Sequence, residues 1–167
     1  MDLLERVKKI CGAEEALGIT FSTKDVQGAR LPVGAKLIGY TDSIYLCFVA
    51  GYQETVFAVD DMPDHEWRAW PVSYDFQEFL RLIFSCGSTN LAAMSGIITP
   101  YEYERAFELE AQKSHTGLKR LCELLSLTPI QDPYTYTHTV GQVSWSKKIS
   151  HFLVLVFCWF FDLKSIG

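Results

Sequence analysis

The chain has 167 residues, about the size of one domain, long enough to bury a sizeable core without a disulfide or metal. Hydrophobic residues make up 49% and charged residues 21%, so disorder along the whole chain is not expected. The net charge of −5 lacks the basic face that a duplex DNA or RNA binder needs, and no direct nucleic-acid partner is expected.

In chain order, residues 2–17 read as an amphipathic helix, with Leu3, Leu4, Val7, Ile10 and Cys11 on one face. Glu5 and Lys9 stand in the favourable order for a helix ion pair, and Gly12 weakens the middle, so the segment reads as one helix or as two short ones. Residues 18–34 read as loop, with Gly18, Gly28, Pro32 and Gly34. A block rich in Ile, Val, Tyr and Phe comes next, with strands over 36–40, 43–49 and 55–59. Its short connections predict antiparallel hairpins. Residues 60–67 form an acidic loop around Pro63, and residues 68–72 read as one more edge strand.

The clearest helix runs over 76–86. Asp75 is its cap, Glu78 completes a capping-box pattern, Phe76, Phe79, Leu80, Ile83 and Phe84 make its apolar stripe, and Gly87 stops it. A second begins at Thr99-Pro100 with Glu102 as its box partner, turning Tyr103, Ala106 and Phe107 inward. A last helix spans 117–125, with Leu118, Leu121, Cys122 and Leu125 inward and Pro129 and Pro133 ending it. Helix, strands, then helices predict an α+β fold with a mainly antiparallel sheet flanked by helices. One domain over 1–140 is expected, with 141–167 a separate C-terminal segment.

Within that segment, residues 152–161 are ten apolar residues in a row, half of the roughly 20 a membrane span requires. No span is expected. The run reads either as a buried strand or as the product of an altered reading frame or terminus; exposed, it would favour aggregation. The N-terminus has no basic region followed by a long apolar run and does not read as a signal peptide.

Five cysteines, Cys11, Cys47, Cys86, Cys122 and Cys158, lie 36 to 39 residues apart with no paired spacing. That predicts reduced, mostly buried thiols in a cytoplasmic protein, without a metal framework. The sequence carries no nucleophile elbow, phosphate-binding glycine loop or His-Glu-x-x-His. No catalytic residue, cofactor or metal site is predicted, and the chain is expected not to be an enzyme. His65, His115, His138 and His151 have no local nucleophile, although distant residues can still meet in space. The one polar concentration is residues 60–66, readable as a solvated acidic loop, a protein-contact loop or a metal site. Asp60, Asp61, Asp64, Glu66 and Trp67 are the candidate partner-binding residues. Trp67, Trp70 and Tyr52 read either as interface anchors beside this loop or, the favoured reading, as core or edge-strand residues, and Tyr101, Tyr103, Tyr134 and Tyr136 as packing residues.

The run Trp70-Pro71-Val72-Ser73-Tyr74-Asp75-Phe76-Gln77-Glu78-Phe79-Leu80, continuing to Gly87, resembles a signature of the SUKH superfamily, the Smi/Knr-like group. There a short strand ending in a Pro-Val-type pair leads into an Asp-Phe-x-x-Phe-Leu helix. Residues 45–49 and 56–60 resemble the family's central hairpin. Leu118-Lys119-Arg120-Leu121 and Leu127-Thr128-Pro129-Ile130 resemble the end of its bacterial branch, and the likeness covers about residues 1–137. It implies the same α+β fold and a non-catalytic protein-binding role. Many bacterial members look like immunity proteins that neutralise polymorphic or contact-dependent toxins by stoichiometric binding. Fungal members imply the alternative, a regulatory interaction protein linked to cell-wall or envelope synthesis. The family has no general catalytic set, so no site residue carries over.

Overall fold

The computed structural model describes residues 2–22, 30–41, 43–60 and 68–143. Two short helices, α1 (Leu3–Val7) and α2 (Ala13–Leu17), precede a five-stranded sheet of β1 (Thr20–Phe21), β2 (Lys36–Tyr40), β3 (Tyr45–Phe48), β4 (Val56–Asp60) and β5 (Arg68–Ser73). Helices α3 (Phe76–Cys86), α4 (Thr89–Met94), α5 (Pro100–Ala111) and α6 (Thr116–Leu124) come after the sheet, and residues 133–143 form a seventh, α7. The strands lie in chain order, each antiparallel to the next. The expected α+β class is therefore the one observed.

The register explains how the sheet divides its side chains. Leu46 pairs with Ala58 and Ala58 with Trp70, so these three stand in one row on one face. That face meets the helices, joined by Ile38, Val56 and Val72 in the main core. The alternate row, Cys47 and Phe57 with Val59, forms a smaller cluster on the opposite face. Leu31, Ala35, Val49 and Tyr52 cover it from the segments flanking β2 and β3. Among the described residues the helices thus gather on one face of the sheet.

Helix α3 occupies the centre. Asp75 Oδ1 accepts from the Glu78 N–H at 2.7 Å, and Gly87, at φ +80°, supplies the left-handed stop. Phe79, Leu80, Leu82 and Ile83 are excluded from solvent. The predicted stripe holds for Phe76, Phe79, Leu80 and Ile83, while Phe84 is only half-buried. The helix also bears a polar stripe. Glu78 accepts from the Tyr136 hydroxyl, Arg81 Nε donates to the Thr128 carbonyl at 2.8 Å, and Ser85 Oγ accepts from the Ile130 N–H at 2.7 Å. These ties hold the returning chain and place α7 beside Trp70 and Pro71 of the edge strand, where Thr137 approaches Gly96.

Several expectations need correction. The first segment is two helices, as Gly12 suggested, but Cys11 is exposed and Glu5 pairs with Lys8 at 3.1 Å, one residue short of Lys9. Thr20–Phe21, expected to be loop, pairs with Gly39 and Tyr40 as β1. Helix α4 is additional to the expected elements; Ser88 caps it by accepting from the Leu91 N–H at 3.2 Å. Helix α6 ends at Leu124 because Ser126 takes φ +54°, well before Pro129. Pro133 opens a helix rather than closing one: Asp132 Oδ1 accepts from the Thr135 N–H at 3.0 Å, and Pro133 stands just after that cap, where its missing N–H costs nothing. Residues 152–161 lie outside the described residues.

Two substitutions test this packing. A Cβ built on Gly39 would sit 2.5 Å from the Thr20 carbonyl oxygen and 2.7 Å from the Ile19 side chain. Gly39→Ala is therefore expected to cost about 1–3 kcal/mol as the β1–β2 pairing shifts. Ser85→Ala removes the acceptor for the Ile130 N–H and is expected to cost about 1–2 kcal/mol. Urea unfolding monitored by far-UV circular dichroism reads both, and values near zero would refute the packing described.

Candidate functional site

The predicted acidic residues are divided. Asp60 is half-buried at the end of β4, opposite Arg68 of β5 in the strand register. Asp61, Asp64, Glu66 and Trp67, with His65, lie outside the described residues. Trp70 is a core residue, its indole N–H donating to the Ala93 carbonyl at 2.7 Å, and Tyr52 meets Phe57 edge-on at 5.1 Å. Both pack, as the favoured of their two readings had it.

The described residues enclose a cleft of about 740 Å³ between the α1–α2 turn and α6. It arises from local sequence. Ala16 of α2 packs on Gly117 of α6, where a Cβ would lie 3.4 Å from the Ala16 Cβ, so the two helices are close at that point. Away from it, Ile10, Ala13, Leu118 and Leu121 form an apolar floor. Cys11, Glu15, Ser114, His115, Arg120 and Leu124 also line the cleft, with Cys11 exposed and Leu124 64% exposed.

His115 is positioned structurally. Its Nε2 donates to the Glu110 carbonyl at 2.8 Å, and the ring lies against Gly87, where an added Cβ would be 3.0 Å away. It therefore joins the ends of α3, α5 and α6. His138 bonds the Tyr134 carbonyl at 3.0 Å one helical turn back. Asp60 does not line the cleft, so the structure does not bring it together with His115. Among the described residues no group of three or more His, Cys, Asp or Glu side chains is placed to hold a metal ion.

The second feature is the outer face of α5. Its N-terminus carries a complete capping box: Thr99 Oγ1 accepts from the Glu102 N–H, and Glu102 Oε2 accepts from the Thr99 N–H at 2.8 Å. The Thr99 N–H, and next the Thr99 hydroxyl at 2.8 Å, donate to that carboxylate and hold it below the usual carboxylate range. Tyr103 is the one buried residue of the helix. It stacks on Phe107 with ring centroids 6.0 Å apart and meets Tyr134 of α7 at 5.4 Å. Phe107, expected inward, is 40% exposed, and Tyr101, expected to pack, is 71% exposed. Tyr101, Arg105 and Leu109 succeed one another at four-residue spacing on the solvent side, flanked by exposed Glu104 and Glu108. The helical phase contained this information: Tyr101 falls about 200° away from Tyr103.

Three thiols are buried: Cys47, Cys86 and Cys122. Burial pushes Cys47 and Cys86 up to about 12, the latter despite the Tyr103 hydroxyl 3.7 Å from its sulfur. Burial, with Glu123 nearby, pushes Cys122 up to about 11. Tyr103 and Tyr136 are raised as well, first by burial and then by Cys86 and Glu78 respectively.

The class defined by these residues is an α+β domain with a five-stranded antiparallel meander and helices on one face. No family model matches the chain, and no curated protein or solved structure does.

An unfolded cysteine titrates near about 8.5. Below that pH these three thiols are protonated in both states. Between there and about 12 the unfolded chain loses protons that the folded chain keeps, so stability falls as pH rises. Urea midpoints are expected to decline from about pH 8.5 to about pH 11, and iodoacetamide is expected to label Cys47, Cys86 and Cys122 only after unfolding. Peptide mass spectrometry checks the labelling; rapid native labelling of these three would refute their burial.

Proposed function

We propose that the chain is a non-catalytic protein-binding domain, an immunity protein that neutralises a bacterial toxin in the cytoplasm by stoichiometric binding. The observation that carries this reading is the solvent face of α5. There Tyr101 and Leu109 project from a capped helix beside Glu104 and Glu108, with Phe107 part-exposed at its flank. Interface anchors are typically aromatic residues on rigid elements surrounded by polar groups. The toxin as target is supported by the resemblance of residues 70–87 to the SUKH signature, and the compartment by the buried thiols, which suit a reducing environment. The mechanism is occlusion: a face contributing about 800 Å² covers the toxin's active surface.

The test is co-expression with the toxin encoded beside the gene, followed by affinity measurement on the purified complex. Tyr101→Ala with Leu109→Ala is expected to weaken binding by at least about 30-fold, the effect of losing a dominant anchor. Melting temperature should stay within about 2 °C, because both side chains are exposed. Val33→Ala, at a 99% exposed position outside this face, should change neither. Failure of any neighbouring toxin to be neutralised would overturn the function; full affinity in the double variant would overturn the assignment of the face.

A further inference from the structure

Beyond α6 the chain is held differently from the rest of the fold. Ser126, exposed and at φ +54°, turns it out of the helix, and residues 127–132 cross α3 without regular structure. Side chains bind their backbone: Arg81 Nε donates to the Thr128 carbonyl, and Ser85 Oγ accepts from the Ile130 N–H. Helix α7 is then largely complete in itself. Asp132 caps its first turn, and the Thr137, His138 and Thr139 side chains donate to carbonyls of the same helix about one turn back. It meets the body through the buried Thr137 and Val140 and through two hydroxyls. That of Tyr136 donates to Glu78 and accepts from the Tyr74 N–H at 3.3 Å, and that of Tyr134 donates to the Ile98 carbonyl at 3.4 Å. Glu78, Arg81 and Ser85 are half-buried, so water can replace each tie as it breaks. Phe79, Leu80, Leu82 and Ile83 of the same helix are sealed from solvent and have no such substitute. We infer that residues 127–143 form a strap, hinged at Ser126, that opens from α3 as one unit while α3 and the sheet stay folded, and that the closed strap sets the position of α5.

The coupling to α5 runs through Tyr134. Its ring lies 5.4 Å from that of Tyr103, the buried residue of α5, and is backed by His138 at 4.1 Å. Its hydroxyl reaches Ile98, just before the Thr99 cap of the same helix. Opening the strap removes both supports and leaves α5 held by the Tyr103–Cys86 contact and by His115 on the Glu110 carbonyl. A partner that prefers α5 in its closed position therefore also favours the closed strap, by the same factor. The strap is defined by contacts within the chain, so it can fail while the toxin reading stands, and the reverse.

Hydrogen–deuterium exchange of the full chain, followed by peptide mass spectrometry, tests the inference. The hydrogen-bonded amides of α7 are expected to exchange together, at least about 10-fold faster than those of α3, β3 and β4. Tyr136→Phe keeps the ring and removes the hydroxyl. It is expected to speed exchange in α7 and α5 alike by about 3- to 10-fold, the effect of one net hydrogen bond, with α3, β3 and β4 at native rates. Arg81→Met, which removes the tie to Thr128, should do the same from the other end of the strap. Exchange in α7 as slow as in α3, or graded along the helix rather than shared, would sink the strap. Variants that speed α7 but leave α5 at its native rate would sink the coupling. Equal acceleration of α3, β3 and β4 would show loss of the whole fold and overturn the inference as well.

Discussion

Phe79, Leu82 and Ile83 of α3 are sealed between the sheet row Leu46–Ala58–Trp70 and the outer helices, and the other elements are arranged around that contact. Each such side chain contributes roughly 1.5–3 kcal/mol on burial, whereas a single net hydrogen bond contributes about 1 kcal/mol. The apolar face therefore decides where α3 lies. The polar stripe decides the path of the chain beyond α6, because Glu78, Arg81 and Ser85 recur at helical spacing and bind Tyr136, Thr128 and Ile130 in turn. By fixing the returning chain, the stripe brings α7 to the side of β5. That edge includes Pro71, which has no N–H to offer another strand.

The same arrangement leaves α5 lightly held. It is attached through Tyr103, which reaches Cys86 of α3 and Tyr134 of α7, and through the backbone contact of His115 at its C-terminal end. A helix anchored along one line exposes most of its circumference, and its capping box keeps the first turn rigid without help from the core. The outer face can thus vary in sequence without disturbing the sheet, an advantage for a surface that has to match a partner.

Local chemistry made much of this legible. The hairpin block could be read because antiparallel strands with short connections show β-branched and aromatic residues between turn residues, and Asp75, Gly87 and Thr99-Pro100 announced the ends of α3 and the start of α5. Helix α4 was hidden because it has six residues, too few to show a period, directly after a helix stop. Helix α7 was hidden because Asp132-Pro133 reads as a breaker although it is also a helix start. Spacing to Tyr103 turns Phe107 inward, but spacing cannot reveal that the neighbours run out at Tyr134. The acidic cluster at residues 60–66 was visible as composition alone. The cleft could not be seen at all, since its walls come from residues 10–16 and 114–124, distant in sequence and brought together by tertiary packing such as that of Ala16 on Gly117.

The cleft and the α5 face differ in a way that bears on their uses. The cleft sets an apolar floor of Ile10, Ala13, Leu118 and Leu121 beside polar lining from Glu15, Ser114, His115 and Arg120. The α5 face interleaves Tyr101 and Leu109 with Glu104, Arg105 and Glu108, so it remains well solvated when bare and can exchange its water for polar contacts when covered. The α5 composition suits a separate protein, for which tight binding depends on a few anchors and solubility depends on the charges between them.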